Sequence, residues 1–341
     1  MRPRDILLAV AVAAAWGFNF VAIEAGLDRM PPLLFCALRF GLAAVPALFF
    51  VGRPQVAWRW VLAVGLVLGV VKFSLLFAGV AAGLPAGLSS LVLQSQAIFT
   101  TVFAVALLRE RPALRQWAGL GIAVLGVALV AGRLGTDRPV EGFLLVLAAA
   151  VAWGLSNVLM RRAAPPDMLR FVVWVSAVAT LPLLALSLLV EGPEQIGPAL
   201  RGLDLTGLGA LVYIAGISTL AGFAGWGALL RRYGAATVAP FSMLVPFFGM
   251  SSAALLLGEP LQATDLLAGV LVIGGVLLGA ARRPAGPVPD PHAALPHPVR
   301  EPDAALPRPV REPDAARRSH QPVPEPGALT VPTRAQVASA A

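Results

Sequence analysis

Ten apolar stretches, each long enough to cross a hydrocarbon core, follow one another through the first 281 residues with short polar connections between them. They run over approximately 6–24, 33–51, 60–82, 86–108, 114–131, 141–160, 169–190, 205–230, 235–257 and 263–281. A bilayer core takes roughly 20 helical residues at about 1.5 Å each. Lone strands cannot satisfy their backbone in lipid, so every span is expected to be helical. The pattern predicts an all-α integral membrane protein with ten transmembrane helices, consecutive ones antiparallel. Only 13% of the residues are charged, too few for the surface of a soluble domain. The net charge of +8 is then a reporter of orientation, not of a nucleic-acid partner; the lipid bilayer is the partner it implies. The single cysteine, Cys36, lies inside an apolar segment and reads as a small buried hydrophobe.

Arginines divide unevenly between the two sides of this arrangement. Fourteen, among them Arg53, Arg109, Arg161 and Arg231, fall on the side of the N-terminus; Arg29, Arg133, Arg138 and Arg201 fall on the other. Both termini are therefore expected in the cytoplasm. The first span, behind Arg2 and Arg4, has the composition of a secretory signal, but its sequence recurs later, which argues for a permanent helix.

That recurrence divides the chain. "AVAAAWGFNFV" at 11–21 matches "AAAVAWGLSNVL" at 148–159, and "AVALLRERP" at 104–112 matches "SAALLLGEP" at 252–260. Each half holds five spans, an odd number, so the second half enters the membrane from the opposite side. The expected organisation is two inverted five-helix repeats, 1–136 and 137–282, a plan common among transporters. Residues 283–341 are rich in proline, with an 11-residue repeat ("PVREPDAALPR"), and read as a disordered cytoplasmic tail.

Lys72 is the sole lysine and stands mid-span, roughly 15–18 Å from either interface, too deep to reach water by stretching. Gly65, Gly69, Lys72, Leu76, Gly79 and Gly83 share one face at α-helical spacing, which turns the lysine inward among close-packed backbones. Intramembrane ionisable residues mark substrate or proton pathways. A lysine in a dry surround can also release and regain its proton, which makes it the candidate for proton coupling.

Few other polar residues reach membrane depth. Trp16 and Asn19 share a face of the first span, and Trp153 with Asn157 echoes them in the sixth. An amide can bind a carboxylate or an amine, and an indole can wall a pocket; interhelical bonding explains the amides equally well. The fourth span is the most polar, and its Gln94 and Gln96 are expected at the cavity, beside Ser90 and Thr101. Pro246 is expected to free a carbonyl mid-membrane in the ninth span and mark the transport site. Ser218 and Thr219 are weaker candidates, since both can bond their own helix. Arg39 is expected to pair with Glu24 near the outer interface, and Glu110 and Glu259 to cap helices or fix loops. No span holds a histidine, and no metal, nucleotide or nucleophile motif is present, so no catalytic residue, metal or cofactor is expected.

Two halves of five spans, each opening with a "WG" helix and closing its fourth helix in glutamate, resemble the drug/metabolite transporter superfamily, EamA type. Longer stretches, "AWGFNFVAIEAGLDRMPPLLFCALRF" (15–40), "GLPAGLSSLVLQSQAIFT" (83–100) and "WGALLRRYGAATVAPFSMLVPFFGMSSAALLLGE" (226–259), are similar to its bacterial exporters of O-acetylserine and cysteine. The resemblance implies secondary efflux of small amino-acid metabolites across the inner membrane by alternating access. A multidrug or nucleoside-type exporter and an uncoupled channel stay open as alternatives, as does a homodimer. The residues expected around the central site are Trp16, Asn19, Lys72, Gln94, Gln96, Trp153, Asn157 and Pro246, with Lys72 holding the anionic group of a small-molecule substrate.

Overall fold

A computed structural model describes residues 1–132 and 139–280. The proline-rich tail, the boundary at 136/137, and Arg133, Arg138, Arg282 and Arg283 lie outside the described residues. Every element among those described is helical. The ten long helices are α1 (Pro3–Leu27), α2 (Pro32–Val51), α3 (Trp58–Ala81), α4 (Ala86–Leu108), α5 (Leu114–Ala131), α6 (Val140–Ala163), α7 (Met168–Val190), α8 (Leu205–Tyr233), α9 (Ala239–Leu256) and α10 (Ala263–Ala280). The first nine are each long and apolar enough to span a bilayer, and α10 is slightly shorter in its apolar stretch. Large apolar side chains face outward, Phe49, Leu189 and Leu255 being more than four-fifths exposed, as lipid-facing surfaces require.

Local chemistry sets the helix ends. Pro32 opens α2, where its missing N–H is not needed. The carboxylates of Asp167 and Asp204 accept the backbone N–H groups of Arg170 and Gly207 at the starts of α7 and α8. Gly52 stops α2 in a left-handed conformation at φ +65°, which disfavours any side chain. The connection from α7 to α8 holds a further short helix, Pro193–Arg201, too polar to read as a span.

Helix pairing repeats between the halves. α1 packs on α9 and α8, while α6 packs on α4 and α3; α2 pairs with α7, and α5 with α10. The "WG" glycines explain the first contacts: a Cβ on Gly17 would lie 2.5 Å from Phe248 Cβ in α9, and one on Gly154 2.7 Å from Phe99 Cβ in α4. Gly119 and Gly275 bring α5 and α10 into backbone contact in the same way.

Four of the helices are irregular, again in matched pairs. α3 is π-helical over Gly65–Lys72 and α8 over Tyr213–Ala221. A 3₁₀ segment interrupts α4 at Leu93–Ser95 and opens α9 at Ala239–Leu244. The π segment ends at Lys72, so the strict α-helical spacing read through Gly65 and Gly69 does not hold there. Both glycines still pack inward, against Val178 and Ala179 of α7. Irregular backbone at membrane depth is tolerated only where protein or a cavity satisfies its polar groups.

Candidate substrate cavity

The four irregular segments surround one cavity of about 350 Å³. Eight helices line it, all except α5 and α10. That volume lies in the range of small-molecule sites. Towards the N-terminal side the lining continues to Met160, Met168 and Leu230, close to the ends of their helices. On the other side two carboxylates tie the bundle. Buried Glu191, after α7, accepts the N–H groups of Leu33 and Leu34 at 2.6 and 2.9 Å and the Ser187 hydroxyl at 2.7 Å. Glu259, after α9, accepts those of Ala86 and Gly87 at 2.6 and 3.0 Å. These are the first N–H groups of α2 and α4, which have no partner within their own helices. Glu110, the repeat counterpart of Glu259, instead pairs with Arg161 on the exposed N-terminal side.

Lys72 is 4% exposed, and its ammonium sits over the Phe73 ring at 3.4 Å and the Trp153 ring at 4.9 Å from the ring centres. Asn19, in α1, is also buried, and its Oδ1 accepts no hydrogen bond. Trp16 donates its indole N–H to the Ser218 carbonyl at 2.9 Å, an oxygen within the π segment of α8. Its ring leans on Phe223 and Trp226 and forms part of the wall. Across the cavity, Asn157 donates to Gln96 Oε1 at 2.6 Å and to the Thr100 hydroxyl at 3.1 Å, which binds α6 to α4. Gln94 makes two long contacts, to the Ser242 carbonyl at 3.5 Å and to the Met243 sulfur at 4.0 Å.

Trp16, Asn19, Lys72, Gln94, Gln96, Trp153 and Asn157 thus all line this space. Pro246 does not. It is buried in the first turn of the regular part of α9, directly after the 3₁₀ segment, and its neighbour Val245 takes the wall position. Thr101 also stays out and bonds the Ala97 carbonyl of its own helix. Ser218 and Thr219, set low on sequence grounds, are lining residues, because the π segment turns their backbone and hydroxyl towards α1 and α2.

Arg39 is the main correction. It does not pair with Glu24, whose carboxyl faces the start of α4 beside Glu259. Arg39 is 3% exposed and lines the cavity; its Nη2 donates to the Thr219 hydroxyl at 3.1 Å, and its guanidinium rests over Phe73, 4.0 Å from the ring centre, and Phe40, 4.7 Å away. A charge in mid-helix was the available signal.

The EamA-like transporter family model matches the chain twice, over residues 4–132 and 140–280. A "Probable amino-acid metabolite efflux pump" of Salmonella typhimurium is 42% identical over 284 residues, covering 82% of this chain and 95% of its own. One of the same name in Escherichia coli is 39% identical with the same coverage. A "Probable terminal-alkyne amino-acid exporter" of Streptantibioticus cattleyicolor is 28% identical over 79% of this chain and 91% of its own. A solved crystal structure shares the fold at a TM-score of 0.56 and 20% identity, covering 82% of this chain and 96% of that one. The chain belongs to the EamA-like transporter family: a multi-pass membrane transporter built as two repeats.

Proposed function

We propose that this EamA-family member is a secondary exporter of small amino-acid metabolites of the O-acetylserine and cysteine kind, working by alternating access between the halves 1–136 and 137–282. The observation that carries this reading is the polar set that lines one cavity within the bundle. Lys72 offers a cationic donor, and Asn19 Oδ1 a buried acceptor with no partner of its own. A substrate carboxylate answers the first, and an amine answers the second. The aromatic rings of Trp16 and Trp153 enclose what lies between. The names of the two most similar relatives described above support the same class. The arginine distribution supports cytoplasmic termini, so the side reached by Met160, Met168 and Leu230 is the cytoplasmic entrance, and Glu191 and Glu259 hold the outer side shut. Two lining cations, Lys72 and Arg39, and no lining carboxylate among the described residues count against cationic drugs as cargo.

The test is release of cysteine and O-acetylserine into the medium by cells expressing the protein, the Lys72→Gln variant, or neither. Excess release with the wild type and a loss with the variant is the expected result. A well-inserted protein that releases no more of either than control cells would overturn the substrate class. A pH-independent rate in proteoliposomes would remove Lys72 from proton coupling.

A further inference from the structure

We propose that the cavity is built for an acidic amino-acid metabolite, one with a second carboxylate such as aspartate or glutamate, and that Arg39 is the residue that selects it. This rests on the amino-acid reading above and narrows it. Arg39 spends one donor on Thr219, while Nε and Nη1, both buried, have no protein partner. Among the described residues no carboxylate lines the cavity. The Arg39 guanidinium and the Lys72 ammonium lie over the same Phe73 ring, 4.0 and 3.4 Å from its centre. The separation of the two cationic groups therefore cannot exceed the sum of those distances.

Cation–π contact offsets only part of the desolvation of a guanidinium. A buried charge without a counter-ion is strongly unfavourable unless an anion visits it. A zwitterion such as cysteine brings one carboxylate for two cationic groups. An acidic amino acid brings two carboxylates, for Arg39 and Lys72, and one ammonium, for Asn19 Oδ1. Against cysteine or O-acetylserine, it matches the two cationic groups and the open Asn19 acceptor in sign and number.

The experiment uses the full chain in proteoliposomes, with labelled glutamate, aspartate, cysteine and O-acetylserine. For the wild type, kcat/KM for glutamate or aspartate should exceed that for cysteine roughly tenfold or more. Arg39→Gln should lower the efficiency for the acidic substrates at least roughly tenfold more than for cysteine, and Arg39→Lys, which keeps the charge but loses the planar fork, should recover part of the difference. If Arg39→Gln does not fold, by gel filtration and melting, the wild-type substrate ratio and Arg39→Lys decide. Cysteine and O-acetylserine carried as well as or better than the acidic pair would overturn this proposal and leave the export reading standing. An equal loss for all four substrates in a folded Arg39→Gln would reduce the arginine to a tie between helices and overturn it too. A folded wild type that carries none of the four would overturn both readings.

Discussion

The tie at Glu259 is open to direct measurement. Glu259→Ala removes both acceptors of the Ala86 and Gly87 N–H groups, leaving the start of α4 without a cap. A neutral cap is worth about 0.5–2 kcal/mol, and a charge-assisted bond about 1.5–3 kcal/mol. Water reaches this partly exposed rim and replaces some of the loss. A net cost of about 1–2 kcal/mol is therefore expected, charged only to the state in which α4 and the α9–α10 connection are joined. The ratio of closed to open states should fall roughly 5- to 30-fold. The lone cysteine makes the assay simple. With Cys36→Ser as background and a single reporter Leu76→Cys in the cavity wall, labelling by an impermeant maleimide from the side opposite the termini follows the open fraction. Labelling should quicken roughly 5- to 30-fold in Glu259→Ala, and less in Glu259→Gln, which keeps one acceptor. An unchanged rate in a folded, inserted protein would refute the reasoning, since the bonds would then not distinguish the two states.

The same carboxyl should make closure pH-dependent. Burial, helped by the negative charge of Asp265, holds Glu259 above its ordinary 4.5, against its two backbone hydrogen bonds. The closed state then binds a proton more readily than the open one. Its advantage is full below 4.5 and fades as pH rises through the raised value, so outer-side labelling should slow on acidification and respond less to pH in Glu259→Gln. Lys72→Gln should lower transport efficiency roughly 10- to 150-fold, from the about 1.5–3 kcal/mol of a charge-assisted bond, without lowering the melting temperature in detergent; an unchanged efficiency would separate the lysine from the substrate. Gly119→Leu should cost about 1–3 kcal/mol or more in melting experiments, because its side chain meets the Gly275 carbonyl, whereas Gly121→Leu on an open face should be nearly silent. Equal melting of the two would mean that α5 and α10 do not meet at Gly119.

Trp16, Lys72 and Trp153 were legible in the sequence because each is chemically out of place in an apolar helix or repeats between the halves. Arg39 was equally out of place, yet a carboxylate stood 15 residues before it, and nothing local says that Glu24 turns instead to α4. Pro246 misled for a related reason. The 3₁₀ segment ahead of it sets which residues of α9 face inward, and these are Ala239, Ser242 and Val245. Ser218 and Thr219 were discounted on α-helical geometry that the π segment of α8 does not obey. The apolar lengths, arginine bias and doubled motifs by themselves determined ten spans and a two-fold plan, since lipid insertion responds to local length, hydrophobicity and charge. Which polar groups share the cavity was decided only by the tertiary structure. Its lining comes from eight helices, π and 3₁₀ segments rotate four of them out of regular register, and a contact between α2 and α8 leaves no periodic trace in either helix alone.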